Sequence, residues 1–290
     1  MDYGQLLTAM VTPFDKNGNL DWTALESLTE HLIQNGSDGL VVAGTTGESP
    51  TLKTDEKLML FKRVKEIAGT RVSVIAGTGT NDTAYSAELT EKAAAAGVDG
   101  IMAVTPYYNK PNQEGMYYHF KTIASSVTLP VMVYNIPGRC IINLQAETMI
   151  RMAKDIDNIT SVKEASGNLD QISLIVDSAP ADFYVYSGDD SMTIPILSVG
   201  GNGVVSVAAH IAGADIKEMI HHFVTGDTAH AAALHRKLLP KMKACFLAPN
   251  PAPVKAMLEQ IGIMKRYTRL PLLPLNDSEI KQLDQWFSLA

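Results

Sequence analysis

The sequence predicts a (β/α)8 TIM barrel with a C-terminal helical extension, and three observations lead there. Apolar runs ending in Gly, Thr, Pro or Asn alternate with amphipathic segments at intervals of roughly 20 to 35 residues, the rhythm of strand and crossover helix. Val, Ile, Leu, Ala and Met fill those runs almost continuously, as parallel strands covered on both faces require. At 290 residues the chain is long for an ordinary domain, yet within the range over which an α/β barrel keeps a single core. A doubly wound open sheet is the other architecture that the alternation allows.

The runs that read as strands are, in order, 6–12, 39–44, 71–77, 100–105, 130–135, 159–165, 183–187 and 203–207. Between them, Thr54-Asp55-Glu56 and Asn81-Asp82-Thr83 read as N-caps with acidic first turns, and Ala93-Ala94-Ala95-Ala96-Gly97 reads as a helix closed by a C′ glycine. After about residue 224 the strand signal stops, and helical patterns follow over 228–246, 251–261 and 277–289. Pro249-Asn250-Pro251 breaks that series. The organisation expected is a catalytic barrel over 1–224 and a helical extension over 225–290, with no low-complexity linker between them.

Composition narrows the function. A hydrophobic fraction of 46% with 19% charged residues is globular, and 31 acidic against 24 basic residues give a net charge of −7. That balance argues against nucleic acid or an anionic membrane surface as partner and points to small molecules. Cys140 and Cys245 are the only cysteines, too far apart for a Cys-x-x-Cys site, so free thiols are expected. No apolar stretch reaches the ~18 residues that span a bilayer, and Met1-Asp2-Tyr3-Gly4-Gln5 lacks a basic leader, so the expectation is a reduced, cytoplasmic protein.

In an α/β barrel the chemistry gathers at the C-terminal ends of the strands. Those ends are polar here: Gly44-Thr45-Thr46-Gly47-Glu48-Ser49, Thr105-Pro106-Tyr107-Tyr108-Asn109, Tyr134-Asn135-Ile136-Pro137-Gly138-Arg139, Lys163, and Ser187-Gly188-Asp189-Asp190. Lys163 lies inside the short apolar run Ile159-Thr160-Ser161-Val162-Lys163-Glu164-Ala165-Ser166-Gly167. It reads either as a strand-end base that snorkels to solvent or as an amine pushed by burial toward its neutral, nucleophilic form. The Gly-Thr-Thr-Gly turn offers clustered N–H groups and two hydroxyls to a small carboxylate, or is simply a glycine-permitted turn. Arg139 is a fork for a carboxylate or a surface ion-pair partner, and Tyr134 a proton-transferring phenol or a core aromatic.

Other motifs carry less. Gly77-Thr78-Gly79-Thr80-Asn81-Asp82 lacks the third glycine of a dinucleotide turn, and no Walker loop is present. His31, His119, His210, His221, His222, His230 and His235 show no metalloprotease spacing and fall on helical patterns. Asp189-Asp190 reads as a turn or cap rather than a metal site, and Arg236, Lys237, Lys241 and Lys243 as one solvated or subunit-facing helix face. No metal or organic cofactor is expected.

The motifs quoted at the strand ends, extended by Lys163-Glu164-Ala165-Ser166-Gly167-Asn168, resemble in order those of the dihydrodipicolinate synthase and N-acetylneuraminate lyase superfamily, from about Leu6 to beyond Pro271. The resemblance implies a Schiff-base lyase with pyruvate bound covalently to Lys163. It further implies that Thr45 and Thr46 hold the pyruvate carboxylate, that Tyr134, Thr46 and Tyr108 form a proton relay, and that the backbone at Gly188 and Val205 lines the pyruvate pocket. Tyr108 would reach a neighbouring subunit's site, which requires a homo-oligomer, a dimer or a tetramer built as a dimer of dimers. Arg139 matches the arginine by which the synthase branch binds L-aspartate 4-semialdehyde, on the route to diaminopimelate and lysine. Other pyruvate-dependent aldolases of the superfamily, acting on sialic or keto-deoxy sugar acids, are the alternative, and a barrel that binds without catalysing is the alternative of a different class. Ser49, Asn81 and Tyr107 match the superfamily's lysine effector cleft, but Lys57 and Tyr85 stand where lysine-inhibited members carry His and Glu. Weak or absent lysine inhibition is therefore expected, because a cation at Lys57 repels the effector's ammonium.

Overall fold

The computed structural model describes residues 2–288. Its strands are β1 Leu6–Ala9, β2 Gly39–Val42, β3 Ser73–Gly77, β4 Gly100–Val104, β5 Val131–Asn135, β6 Ile159–Glu164, β7 Tyr184–Ser187 and β8 Gly203–Ser206. All pair in parallel with their sequence neighbours, and β8 returns to β1, so the eight strands close into a barrel rather than an open sheet. Gly203 is where closure demands a bare backbone, since a Cβ there would lie 2.0 Å from the Gln5 carbonyl oxygen.

The strands are shorter than the apolar runs suggest, for local reasons. β2 stops at Val42 because Ala43 has a φ of 54°, left-handed backbone that cannot continue a ladder. β3 begins at Ser73, since the Arg71 N–H turns back to the Ala68 carbonyl at 3.0 Å and is not given to a neighbouring strand. β5 begins after Pro130, which has no N–H to give.

Around the barrel run α1 Trp22–Gln34, α2 Thr54–Ala68, α3 Thr83–Ala95, α4 Gln113–Ser125, the short α5 Pro137–Cys140, α6 Ala146–Asp155, α7 Leu169–Ser178, α8 Thr193–Ser198 and α9 Ala209–Val224. Asp82 caps α3 by accepting from the Tyr85 N–H at 3.0 Å, and α3 ends at Ala96 before Gly97, whose φ is +86°. The cap of α2 is Lys53 rather than Thr54, with Glu56 accepting the Lys53 N–H at 2.8 Å. Thr54 is released to hydrogen-bond the Tyr85 phenol at 2.9 Å. Beyond the barrel follow α10 Thr228–Ala244, α11 Ala252–Gln260 and α12 Asp277–Ser288, and Leu289, to which the last helical pattern extends, lies outside the described residues. No helix of the described residues is long and apolar enough to cross a membrane.

Candidate active site

A cavity of about 740 Å³ opens at the C-terminal ends of the strands. Thr45, Tyr134 and Arg139 line it together with Ser49, Lys57, Asn81, Tyr85 and Tyr107, so the substrate residues expected from the sequence and those of the effector cleft share one space. Pro249, Asn250, Pro271 and Leu272 add walls from beyond the barrel strands.

Lys163 stands on β6 in register with Tyr134 on β5 and Tyr186 on β7. Its side chain is buried rather than snorkelling, only 5% exposed, with Nζ 4.2 Å from the Tyr134 ring centroid. Among the described residues no carboxylate forms an ion pair with it. Burial pushes the amine down to about 7, reinforced by the Arg139 charge and opposed by the Asp190 carboxylate. Gly188, on the loop after β7, keeps the adjoining space open: a Cβ there would sit 2.6 Å from the Ala165 Cβ and 3.2 Å from the Lys163 Cε. Val205 is buried within β8, opposite Leu7 of β1.

Burial also raises the Tyr134 phenol, with the Arg139 charge and a hydrogen bond from Thr45 acting against it. Thr45 is thus the hydroxyl beside the phenol. Thr46 is buried and its Oγ1 accepts from Asn250 Nδ2 at 3.0 Å. Arg139 stands exposed in the last turn of α5, and among the described residues it has no salt-bridge partner, which leaves its fork free for a ligand carboxylate. Tyr108 does not join this cluster: with a φ of +72° it points outward, 89% exposed. Cys140 is buried as a free thiol, its Sγ donating to the Thr105 carbonyl at 3.2 Å.

Lys57 is buried, 4% exposed, with Nζ 5.9 Å from the Tyr85 ring centroid, and burial draws its amine below the usual lysine range. Asp189 and Asp190 act as caps. Asp189 accepts from Ser191 N, and Asp190 from Ser206 Oγ and the Val207 and Ala208 N–H groups. The buried histidines hold core contacts, His210 accepting from Val11 N and His119 meeting the Thr83 hydroxyl. On the surface, ligating atoms of Glu218, His222 and His230 come within 4.8 Å of one another. The His222 and His230 rings stack at 4.0 Å with planes 8° from parallel, so a single ion cannot lie in both ring planes as these stand.

Sequence reasoning missed Asn250, seen there only as part of a helix break, and the buried pair between Glu48 and Lys255. Both join the β2 loop to residues more than 200 positions away, and no local pattern announces such a partner.

Comparison with known proteins gives the family and the fold. The model of the dihydrodipicolinate synthetase family matches residues 2–289. A 4-hydroxy-tetrahydrodipicolinate synthase of Bacillus subtilis (strain 168) is 58% identical over 99% of both chains. Among solved structures, a dihydrodipicolinate synthase from Bacillus anthracis has a TM-score of 0.97 at 47% identity, covering 99% of this chain and 98% of its own. One from Cyanidioschyzon merolae, crystallised with lysine bound, has a TM-score of 0.97 at 46% identity with the same coverage.

Proposed function

This chain belongs to the dihydrodipicolinate synthetase family, and we propose that its cavity condenses pyruvate with L-aspartate 4-semialdehyde, the 4-hydroxy-tetrahydrodipicolinate synthase reaction on the route to diaminopimelate and lysine. The observation that carries this reading is Lys163: a buried amine brought to about 7, beside a phenol and near an unpaired guanidinium.

The neutral Nζ attacks the ketone carbon of pyruvate, and the ketone oxygen leaves as water, giving an iminium. The iminium draws electrons from the methyl carbon, which loses a proton and becomes an enamine. That carbon bonds to the aldehyde carbon, whose oxygen takes up a proton. The amine of the second substrate then adds to the iminium carbon, the ring closes, and Lys163 departs as a neutral amine.

In this reading the Thr45 and Thr46 hydroxyls hold the pyruvate carboxylate, with the backbone at Gly188 and Val205 closing the pocket. Tyr134 exchanges protons with the reacting oxygen through the Thr45 hydroxyl beside it, in place of the Thr46 expected from the sequence, and through Tyr108. The exposure of Tyr108 supports its service to a neighbouring copy, and we read the enzyme as a cytoplasmic homo-oligomer, a dimer or a dimer of dimers. Arg139 takes the carboxylate of the aldehyde, which favours the synthase over sugar-acid aldolases of the same chemistry. Residues 1–224 form the catalytic barrel and 225–290 its extension.

Borohydride added with pyruvate tests the reading. Mass spectrometry should find the reduced pyruvate adduct on Lys163, and turnover should be greatest with aspartate semialdehyde. An adduct elsewhere, or none, would sink the mechanism.

A further inference from the structure

The segment that interrupts the helical extension reaches back into the cavity. Pro249 and Asn250 line it, and Asn250, only 8% exposed, donates from Nδ2 to Thr46 Oγ1 at 3.0 Å. Two residues along the same loop, the buried Glu48 carboxylate meets Lys255 Nζ from α11, and the Arg269 N–H donates to its other oxygen at 2.9 Å. Lys255 is itself held by the Tyr267 carbonyl at 2.8 Å. The loop carrying Thr45 and Thr46 is therefore gripped at two places by chain that contributes no barrel strand.

The chemistry of the Asn250 contact is directional. A threonine hydroxyl rotates and can donate or accept, whereas an amide N–H only donates. By filling one lone pair of Thr46 Oγ1, the amide turns the hydroxyl hydrogen away from Asn250. Its own Oδ1 is buried without a partner. An unpaired buried acceptor is costly to the fold, and such groups concentrate where function rather than stability holds a side chain.

We propose that Asn250 is a positioning residue that fixes Thr46 as a hydrogen-bond donor toward bound substrate, so that the extension completes the active site. The proposal rests on the reading of Lys163 as the pyruvate-binding lysine and of Thr46 as a site hydroxyl.

Asn250→Asp keeps the shape but replaces the donor by an acceptor, which forces the hydroxyl to turn around; Asn250→Ala leaves it free to rotate. The assay uses the full chain. Borohydride and pyruvate count the trappable Lys163, and kcat per trappable site is compared with KM for both substrates. We expect both variants to lose about 10- to 100-fold in kcat per trappable site, the scale of a misoriented substrate, with KM for the semialdehyde little changed. In a Thr46→Val background Asn250→Ala should cost nothing further, the signature of an effect exerted through Thr46. Wild-type kcat per trappable site in both variants would overturn the proposal. So would an equal loss with and without the Thr46 hydroxyl. A variant that is merely unstable loses adduct and turnover in proportion, leaves the ratio unchanged and counts against it. No adduct on wild-type Lys163 would instead overturn the Schiff-base reading, and this role with it.

Discussion

Replacing Lys163 by methionine should abolish turnover and stabilise the fold, with a gain that depends on pH. The amine falls from its ordinary value of 10.5 to about 7 through burial. At about 1.4 kcal/mol per pH unit, that fall corresponds to a penalty of about 5 kcal/mol on the folded state whenever the lysine must carry its proton. Below pH 7 both folded and unfolded chains hold the proton, and the penalty is complete. Between 7 and 10.5 the unfolded chain holds it and the folded chain does not, so stability rises with pH and the penalty fades. Methionine has similar volume and no charge to bury. Lys163→Met should therefore gain up to about 5 kcal/mol at pH 6 and about 2–3 kcal/mol at pH 8.5. Urea unfolding of both proteins at pH 6, 7 and 8.5 measures this. A gain that stays level with pH, or a loss at pH 6, would show that the folded protein does not hold Lys163 as a depressed, buried amine.

The same titration sets the acid limb of activity: kcat/KM for pyruvate should fall below about pH 7 as Lys163 takes up its proton, and a limb near 10 in initial-rate profiles would contradict it. Arg139→Ala should lower kcat/KM for aspartate semialdehyde about 100-fold or more while leaving pyruvate trapping on Lys163 intact, because one charge-assisted, bidentate fork is lost. Gly188→Ala should reduce trapping itself, since the new Cβ meets the Ala165 Cβ at 2.6 Å and crowds the Lys163 Cε at 3.2 Å. Lysine should inhibit weakly or not at all, Lys57 and Tyr85 offering its ammonium no carboxylate; strong inhibition by submillimolar lysine in a steady-state assay would reverse that expectation.

How far each feature could be read from sequence follows from the range of the interaction that makes it. Parallel strands buried on both faces leave continuous apolar runs, so all eight appear in order, and Lys163 stands out because an ionisable group interrupts such a run. Their ends were overdrawn where backbone conformation rather than hydrophobicity decides, as at Ala43, whose alanine identity hides a φ of 54°. The α2 cap was displaced by one residue because Glu56 satisfies the Lys53 N–H without a capping side chain at Lys53. Residues whose motifs belong to single strand ends, Thr45, Tyr134 and Arg139, gather in the cavity as their positions imply.

Polar contacts between distant segments obey a different logic. Glu48 and Lys255 are fully buried charges 207 residues apart, and each would be prohibitively costly without the other. Nothing near either residue predicts its partner, because the compensation exists only once the barrel has closed and α11 has docked. The same holds for Asn250 and Thr46. A helical extension that reads as packing in the sequence is thereby tied to the loop that carries Thr45 and Thr46. Removing the Lys255 amine should leave Glu48 a buried carboxylate held by the Arg269 N–H without a cation of its own, and disturb Thr46 together with it. A Lys255→Met variant should then lose turnover per trappable Lys163 as well as stability, whereas a purely packing extension would lose stability alone.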